Sequence, residues 1–132
     1  MSEMLSKKLG EMEYDGLVTD IIPETEVRGK TIRKVSAETE FKRGTILGMS
    51  STDNKLVVLG TTAAQGETIT PDCILCDDVT VGTTDDVIAT VYTAGCFNTE
   101  KIIVASGYTI TAADFDALRK YGIVFKAASK AN

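Results

Sequence analysis

Cys73-x-x-Cys76 is the one spacing in this 132-residue chain that suggests reactive chemistry. A redox dithiol of that form normally opens a helix, whose N-terminus lowers the thiol pKa. Here both cysteines fall in an apolar, β-branched run, and positions i and i+3 of a strand point to opposite faces. A structural zinc site needs four Cys or His ligands, and the chain has three Cys and no His. Buried, reduced thiols in a reducing compartment are the expectation. The doublets Asp77-Asp78 and Asp85-Asp86 lack the dense oxygen spacing around a glycine that calcium loops use. Turn formation and solubility account for them. The segment 60–66 has two glycines but no following Lys-Ser/Thr, so it is no phosphate loop, and neither a nucleophile elbow nor an HExxH motif occurs. Without His the commonest general base is missing too. These residues point to a protein that is not an enzyme and uses no cofactor or metal.

The elements that carry them centre on residues 74–98. Two runs rich in β-branched residues, 73–81 and 87–93, flank Gly82-Thr83-Thr84-Asp85-Asp86, which predicts two neighbouring antiparallel strands. In the second run Val87, Ala89, Val91 and Thr93 share one face, and Ile88, Thr90 and Tyr92 share the other. Apolar bulk on both faces predicts a central strand covered on both sides. Upstream, residues 44–49 and 56–59 predict a hairpin about the turn 52–55, with 60–72 as a long loop tethered by Ile69. Val27 to Val35 predicts a short extended piece, and so do residues 102–104. One helix is expected over 111–121, with Thr111 as N-cap and Asp114 completing a capping box. Its apolar stripe is Ala112, Phe115, Leu118 and Tyr121, and Gly122 suits a left-handed C-terminal position. Residues 123–125 return as a strand.

Composition narrows the class further. The apolar fraction of 43% fits one globular domain, and no run approaches the roughly 20 apolar residues of a membrane span. The first residues lack a signal-peptide pattern, so synthesis in the cytoplasm without standard export is expected. A net charge of −5 argues against nucleic acid as partner. Residues 1–26 hold Lys7 and Lys8 against Glu3, Glu11, Glu13, Asp15, Asp20, Glu24 and Glu26, which equals the charge of the whole chain. Such a segment buries too little to offset its ordering entropy, so it is expected to be a flexible arm reaching to 26, or as far as about 40. Residues 27–132 form the single β-rich domain. Within the arm, Tyr14 to Ile22 is an island of strand-like composition. It either orders by pairing with a partner or is an edge strand of the domain itself.

The order of these features resembles the lambda-type head decoration proteins of tailed phages. The resemblance runs from R-G-T-I-L-G (43–48) through L-V-V-L-G (56–60), I-L-C-D-D-V (74–79) and V-Y-T-A-G-C-F-N (91–98) to L-R-K-Y-G-I-V-F (118–125). Tyr-x-x-Gly-x-Phe at 92–97 together with Leu-Arg-x-x-Gly-Ile at 118–123 is its most specific part. Cys96 departs from the polar or acidic residue expected between Gly95 and Phe97. The resemblance implies a mainly β domain, an open β-barrel or β-tulip with one short C-terminal α-helix. It further implies homotrimers on the outer surface of the expanded head at threefold and quasi-threefold sites, cementing capsomers against DNA pressure. The partner would be the major capsid protein, and Tyr14, Leu17, Val18, Ile21 and Ile22 would form the capsid-binding arm by strand addition. Two rivals come from other classes. A small-ligand or carbohydrate-binding β-barrel would show a concave apolar pocket with convergent polar groups. A redox or metal protein would use Cys73 and Cys76.

Overall fold

The computed structural model describes residues 16–20 and 24–126. Apolar runs punctuated by Gly, Asp and Asn turns give nine strands and one helix among the described residues. They are β1 (Val18–Asp20), β2 (Glu26–Ile32), β3 (Thr39–Phe41), β4 (Ile46–Ser50), β5 (Leu56–Val58), β6 (Ile69–Leu75), β7 (Val79–Val81), β8 (Val87–Asn98), α1 (Ala112–Arg119) and β9 (Ile123–Lys126).

Twelve-residue β8 holds the rest together, because both of its edges are used twice. At Val91 and Tyr92 it pairs antiparallel with β2 and with β6. At Cys96 and Phe97 it pairs antiparallel with β1 and parallel with β9. β5 lies parallel to β2, β4 pairs with β5, and β6 pairs with β4, so β8-β2-β5-β4-β6 closes on itself as a five-stranded barrel. The mainly β barrel with one short helix is the class expected. The ring is closed where an open one was expected, because β8 is long enough to take β2 on one edge and β6 on the other. The seam between β2 and β5 is narrow, a single residue pair at Ile32 and Leu56.

Side chains alternate along β8 and feed two cores. Val87, Ala89 and Val91 pack with Ile32, Leu47, Leu56, Cys73 and Leu75, joined by Phe41 of β3 and Val81 of β7. Tyr92 faces the other core, with Leu17, Val18, Ile46, Leu59, Ile74, Phe97, Leu118 and Ile123. Tyr92 and Phe97 are five residues apart yet share that core, which strict alternation forbids. The β2–β8 register resolves the conflict: Glu26 pairs with Ala94 but Val27 with Tyr92, so Thr93 is an extra residue that shifts the pleat by one, and Gly95 follows at a φ of +145°. The two rings then meet at a centroid separation of 5.2 Å, and Phe125 continues the cluster at 6.2 Å from Phe97. The buried Tyr92 hydroxyl needs a partner, and Arg43 Nη1 donates to it at 2.5 Å and to the Cys76 carbonyl at 2.9 Å. Burial raises the Tyr92 pKa, which keeps the phenol neutral.

Several local expectations hold. The β4–β5 hairpin turns through Asn54 at φ +58°. Thr111 caps α1 through Oγ1, which accepts from the Asp114 N–H, while Asp114 returns a carboxylate to the Thr111 N–H at 3.0 Å. Ile103 makes an isolated parallel bridge with Thr45, while Ile102 and Val104 pack against the core.

Other expectations are corrected. The run 73–81 is not one strand beside β8. It breaks after Leu75, and β7 turns away to pair with β3, placing Thr39 to Phe41 opposite Val79 to Val81. Asp78, at the break, accepts the Arg43 backbone N–H at 2.7 Å and so fixes the change of direction. The long loop ends earlier than expected, since β6 already begins at Ile69. It includes Pro71, tolerated because the β4–β6 register shifts there, between Leu47 and Gly48. The outer face of the first half of β8 is bare: Ile88 is 77% exposed. Tyr121 leaves the helical stripe and stands 55% exposed. The helix stops at Arg119, and the Tyr121 and Gly122 N–H groups bond back to Leu118 and Arg119 at 3.0 Å. Those three-residue turns rotate Tyr121 outward.

The close approach of Phe97 makes Gly95 a sharp test of the packing. A Cβ there would stand 2.9 Å from the Phe97 ring, on a backbone that side chains rarely adopt. Gly95→Ala is expected to cost about 1–3 kcal/mol in urea unfolding. An unchanged midpoint would show that the bend is not held by that conformation.

Candidate interaction surface

The five residues proposed for an arm fall into two groups. Leu17 and Val18 are 1% exposed and belong to the core around Phe97. Val18 pairs with Phe97, and the Leu17 carbonyl accepts the Asn98 N–H at 2.7 Å. These two residues follow the edge-strand alternative for the 14–22 island. An apolar pair flanked by acids can seat in the core because the β8 edge and the Phe97 ring are there to receive it. Tyr14, Ile21 and Ile22 lie outside the described residues.

The most exposed apolar surface lies on the outer face of β2 and β8. Thr31 is paired with Ile88, Gly29 with Thr90 and Val27 with Tyr92. Directly opposed residues share a face, so Val27, Gly29, Thr31, Ile88 and Thr90 make one uncharged strip. Val27, at 52% exposure, and Ile88 are its apolar members. No sequence pattern separates Ile88 from a buried strand residue, because alternation alone does not say which face is covered.

The opposite face of β2 carries Glu26, Arg28 and Lys30 into a cleft of about 280 Å³ that Asp72 and Tyr121 also line. Lys30 Nζ lies 2.8 Å from Asp72 across it. A second cleft of about 220 Å³ adjoins it, sharing Asp72 and Tyr121 and adding Met49, Ser50 and Thr70. Both fall below the roughly 300–1,000 Å³ of the apolar cavities that enclose small ligands. They give the ligand-binding rival no support.

Cys73 and Cys76 sit in different cores, on opposite sides of the sheet, as the strand spacing requires. Cys73, Cys76 and Cys96 are free thiols and all are buried. Burial raises the pKa of Cys73 and Cys76, away from the thiolate that redox or metal chemistry needs. Among the described residues no group of three or more Cys, Asp or Glu is placed to hold a metal ion.

The densest polar cluster is one that sequence spacing did not reveal. Arg33 grips Asp53 through Nε and Nη2, each at 3.0 Å, and reaches Glu67 at 2.6 Å. Glu67 also accepts from the Ser50 hydroxyl, and from the Ala64 N–H at 2.9 Å. Lys55 Nζ meets Asp86 at 2.5 Å, and Asp86 accepts the Lys34 N–H at 2.8 Å. The cluster thus ties the 51–55 turn and the 60–68 loop to the segment leaving β2. Its members come from four separate stretches, 33–34, 50–55, 64–67 and 86, which is why no motif announces it. The Ser50 hydroxyl, the Ala64 N–H and Arg33 hold the Glu67 carboxyl down to about 2, from an ordinary 4.5.

A carboxyl whose folded pKa is depressed contributes stability above its unfolded pKa and loses it as pH falls toward the folded value. The stabilisation by Glu67 is therefore complete above about pH 4.5 and fades between 4.5 and about 2. Glu67→Gln is expected to melt several degrees below the parent at pH 7, with the gap closing as pH falls through that window. A gap that stays constant with pH would mean the carboxylate charge is not what holds the loop.

The family model of bacteriophage lambda head decoration protein D matches residues 26–123 of the chain, from the start of β2 to the start of β9. No curated protein matches it. That span takes in the whole barrel, the β3–β7 ribbon and α1, which is most of the chain. The chain belongs to the bacteriophage lambda head decoration protein D family, and is thus a structural protein of a phage head that associates with the capsid.

Proposed function

We propose that the protein binds as trimers to the outer surface of the expanded head, at threefold and quasi-threefold sites, and cements neighbouring capsomers against DNA pressure. It is made in the host cytoplasm, joins shells built of the major capsid protein, and performs no catalysis. The observation that carries this reading is the family match across the whole barrel. Buried thiols and small clefts agree with it, since a cement needs a rigid body and an outer surface rather than a reactive pocket.

The acidic N-terminal residues supply the arm in this reading, with Tyr14 as their first apolar contact and strand addition to the capsid protein as the mode. Leu17 and Val18 tie the root of that arm to the core, and Ile21 and Ile22 continue its apolar island. Ordering ten arm residues costs roughly 10–20 kcal/mol of backbone entropy, which new pairing and apolar burial must exceed. Three arms on one trimer engage together, so effective concentration multiplies a modest single-arm affinity. A site assembled from several expanded capsomers would also give selectivity for the mature shell.

Co-sedimentation with cognate expanded and unexpanded heads tests the reading. Saturable binding to expanded heads alone, at three copies per local threefold, is expected, and absence of binding to either would refute it. Truncation of residues 1–15 leaves Leu17 and Val18 in place and is expected to weaken capture at least tenfold. Equal capture would remove the arm from the mechanism.

A further inference from the structure

We infer that the free edge of β2 is a second strand-addition site, filled on the head by an extended segment of the shell polypeptide with acidic and apolar residues in alternation. This rests on the head-binding reading above and assigns it a contact within the barrel itself, apart from the arm.

The direction of each peptide group in β2 follows from its neighbours. The Thr90 carbonyl accepts the Cys76 N–H at 3.0 Å, so the peptide groups of Thr90 face β6. Those of Ala89 and Val91 then face β2, where their partners are Lys30 and Arg28. Lys30 and Arg28 therefore spend their backbone hydrogen bonds on β8. On the other edge, the Arg33 N–H donates to the Leu56 carbonyl at 2.9 Å, which fixes the odd-numbered residues as outward-facing. β5 meets β2 only at Ile32 and Leu56, and it runs on from there away from Glu26. Val27 and Gly29 consequently aim their N–H and C=O groups past the barrel rim, and among the described residues no strand covers them.

An uncovered strand edge of this kind is a template for another strand, and proteins usually blunt it with proline, a bulge or a covering element. β2 contains no proline, its register irregularity lies at the Glu26–Val27 step rather than at Gly29, and among the described residues no strand covers this edge. The side chains flanking the edge define the partner. Toward the cleft, Lys30 is taken by Asp72, while Arg28 has no ion pair among the described residues. A carboxylate on the added strand would meet it. Toward the outer face, Val27, Gly29 and Ile88 present an uncharged strip for apolar side chains. The occupant is shell polypeptide rather than the same edge of a second copy. Two identical edges pair about a twofold axis, and a threefold arrangement provides none.

Proline replacement and amide exchange test this together. Gly29→Pro removes only an outward-facing N–H, and a Cβ at that site meets nothing nearer than Ile88 Cγ2 at 3.6 Å. The variant is expected to fold, whereas Lys30→Pro would break the ladder to β8. On expanded heads that bind the parent protein, Gly29→Pro is expected to bind at least tenfold more weakly. The Val27 and Gly29 amides should exchange freely in the free protein and become protected on heads, with Arg28 and Lys30 protected in both states. A folded Gly29→Pro that binds like the parent would overturn the inference while leaving the head-binding reading intact. If that variant fails to fold, unprotected Val27 and Gly29 amides on heads would overturn it equally. Protection that grows with protein concentration in the absence of heads would assign the edge to a second copy, and would also overturn it. A parent protein that binds no heads would instead refute the reading on which the inference rests.

Discussion

One strand must serve two sheets, and that requirement shapes the whole domain. β8 closes the barrel through its first half and carries β1 and β9 on its second. A regular strand of that length would send Tyr92 and Phe97 to opposite faces and split the aromatic cluster. The extra residue at Thr93 brings them to one side, and at Gly95 only a residue without a side chain fits against the Phe97 ring. The aromatic stack from Tyr92 through Phe97 to Phe125 and Phe115 then fastens α1 and β9 to the barrel wall. Each fully buried apolar side chain in that layer contributes about 1.5–3 kcal/mol, so the joint is held by apolar burial rather than by ion pairs.

The polar clusters act elsewhere and differently. Arg33, Asp53 and Glu67 fasten loops at the surface, where hydrogen bonds fix geometry without adding core. Surface ion pairs are individually weak, but Arg33 binds Asp53 through two nitrogens and Glu67 gathers donors from three other residues. The Glu67 carboxylate therefore joins the 60–68 loop to β4 and Arg33, while Thr61 and Thr68 anchor its two ends through bonds to Val58 and Ser51.

Much of this was legible in the chain wherever the determining contacts are local. The Thr111–Asp114 box, the 46–58 hairpin and the burial of the three cysteines follow from neighbours a few residues apart. What escaped depends on distant partners. Nothing near Val79 announces that it will pair with Phe41, and nothing in the alternation of β8 says that Ile88 faces solvent while Tyr92 is covered. Pro71 looked like loop because its tolerance depends on a bulge opposite Gly48. Leu17 and Val18 lie in an acidic, poorly apolar stretch, and only the edge of β8 makes a core site for them. The exposed strip and the polar clamp were invisible for the same reason: each is assembled across strands.

Exposure of apolar residues on a rigid frame is the more informative outcome for a head decoration protein. The barrel hides its thiols, keeps its clefts small, and yet leaves Val27 and Ile88 in solvent beside a strand edge that nothing covers among the described residues. A monomer selected only for stability gains nothing from that arrangement, since an uncovered edge invites aggregation and exposed Ile88 forfeits burial. The cost is recovered only in an assembly that covers the surface. Because the frame is closed and packed on two cores, strain from the shell would pass through β8 rather than be absorbed by bending of the domain.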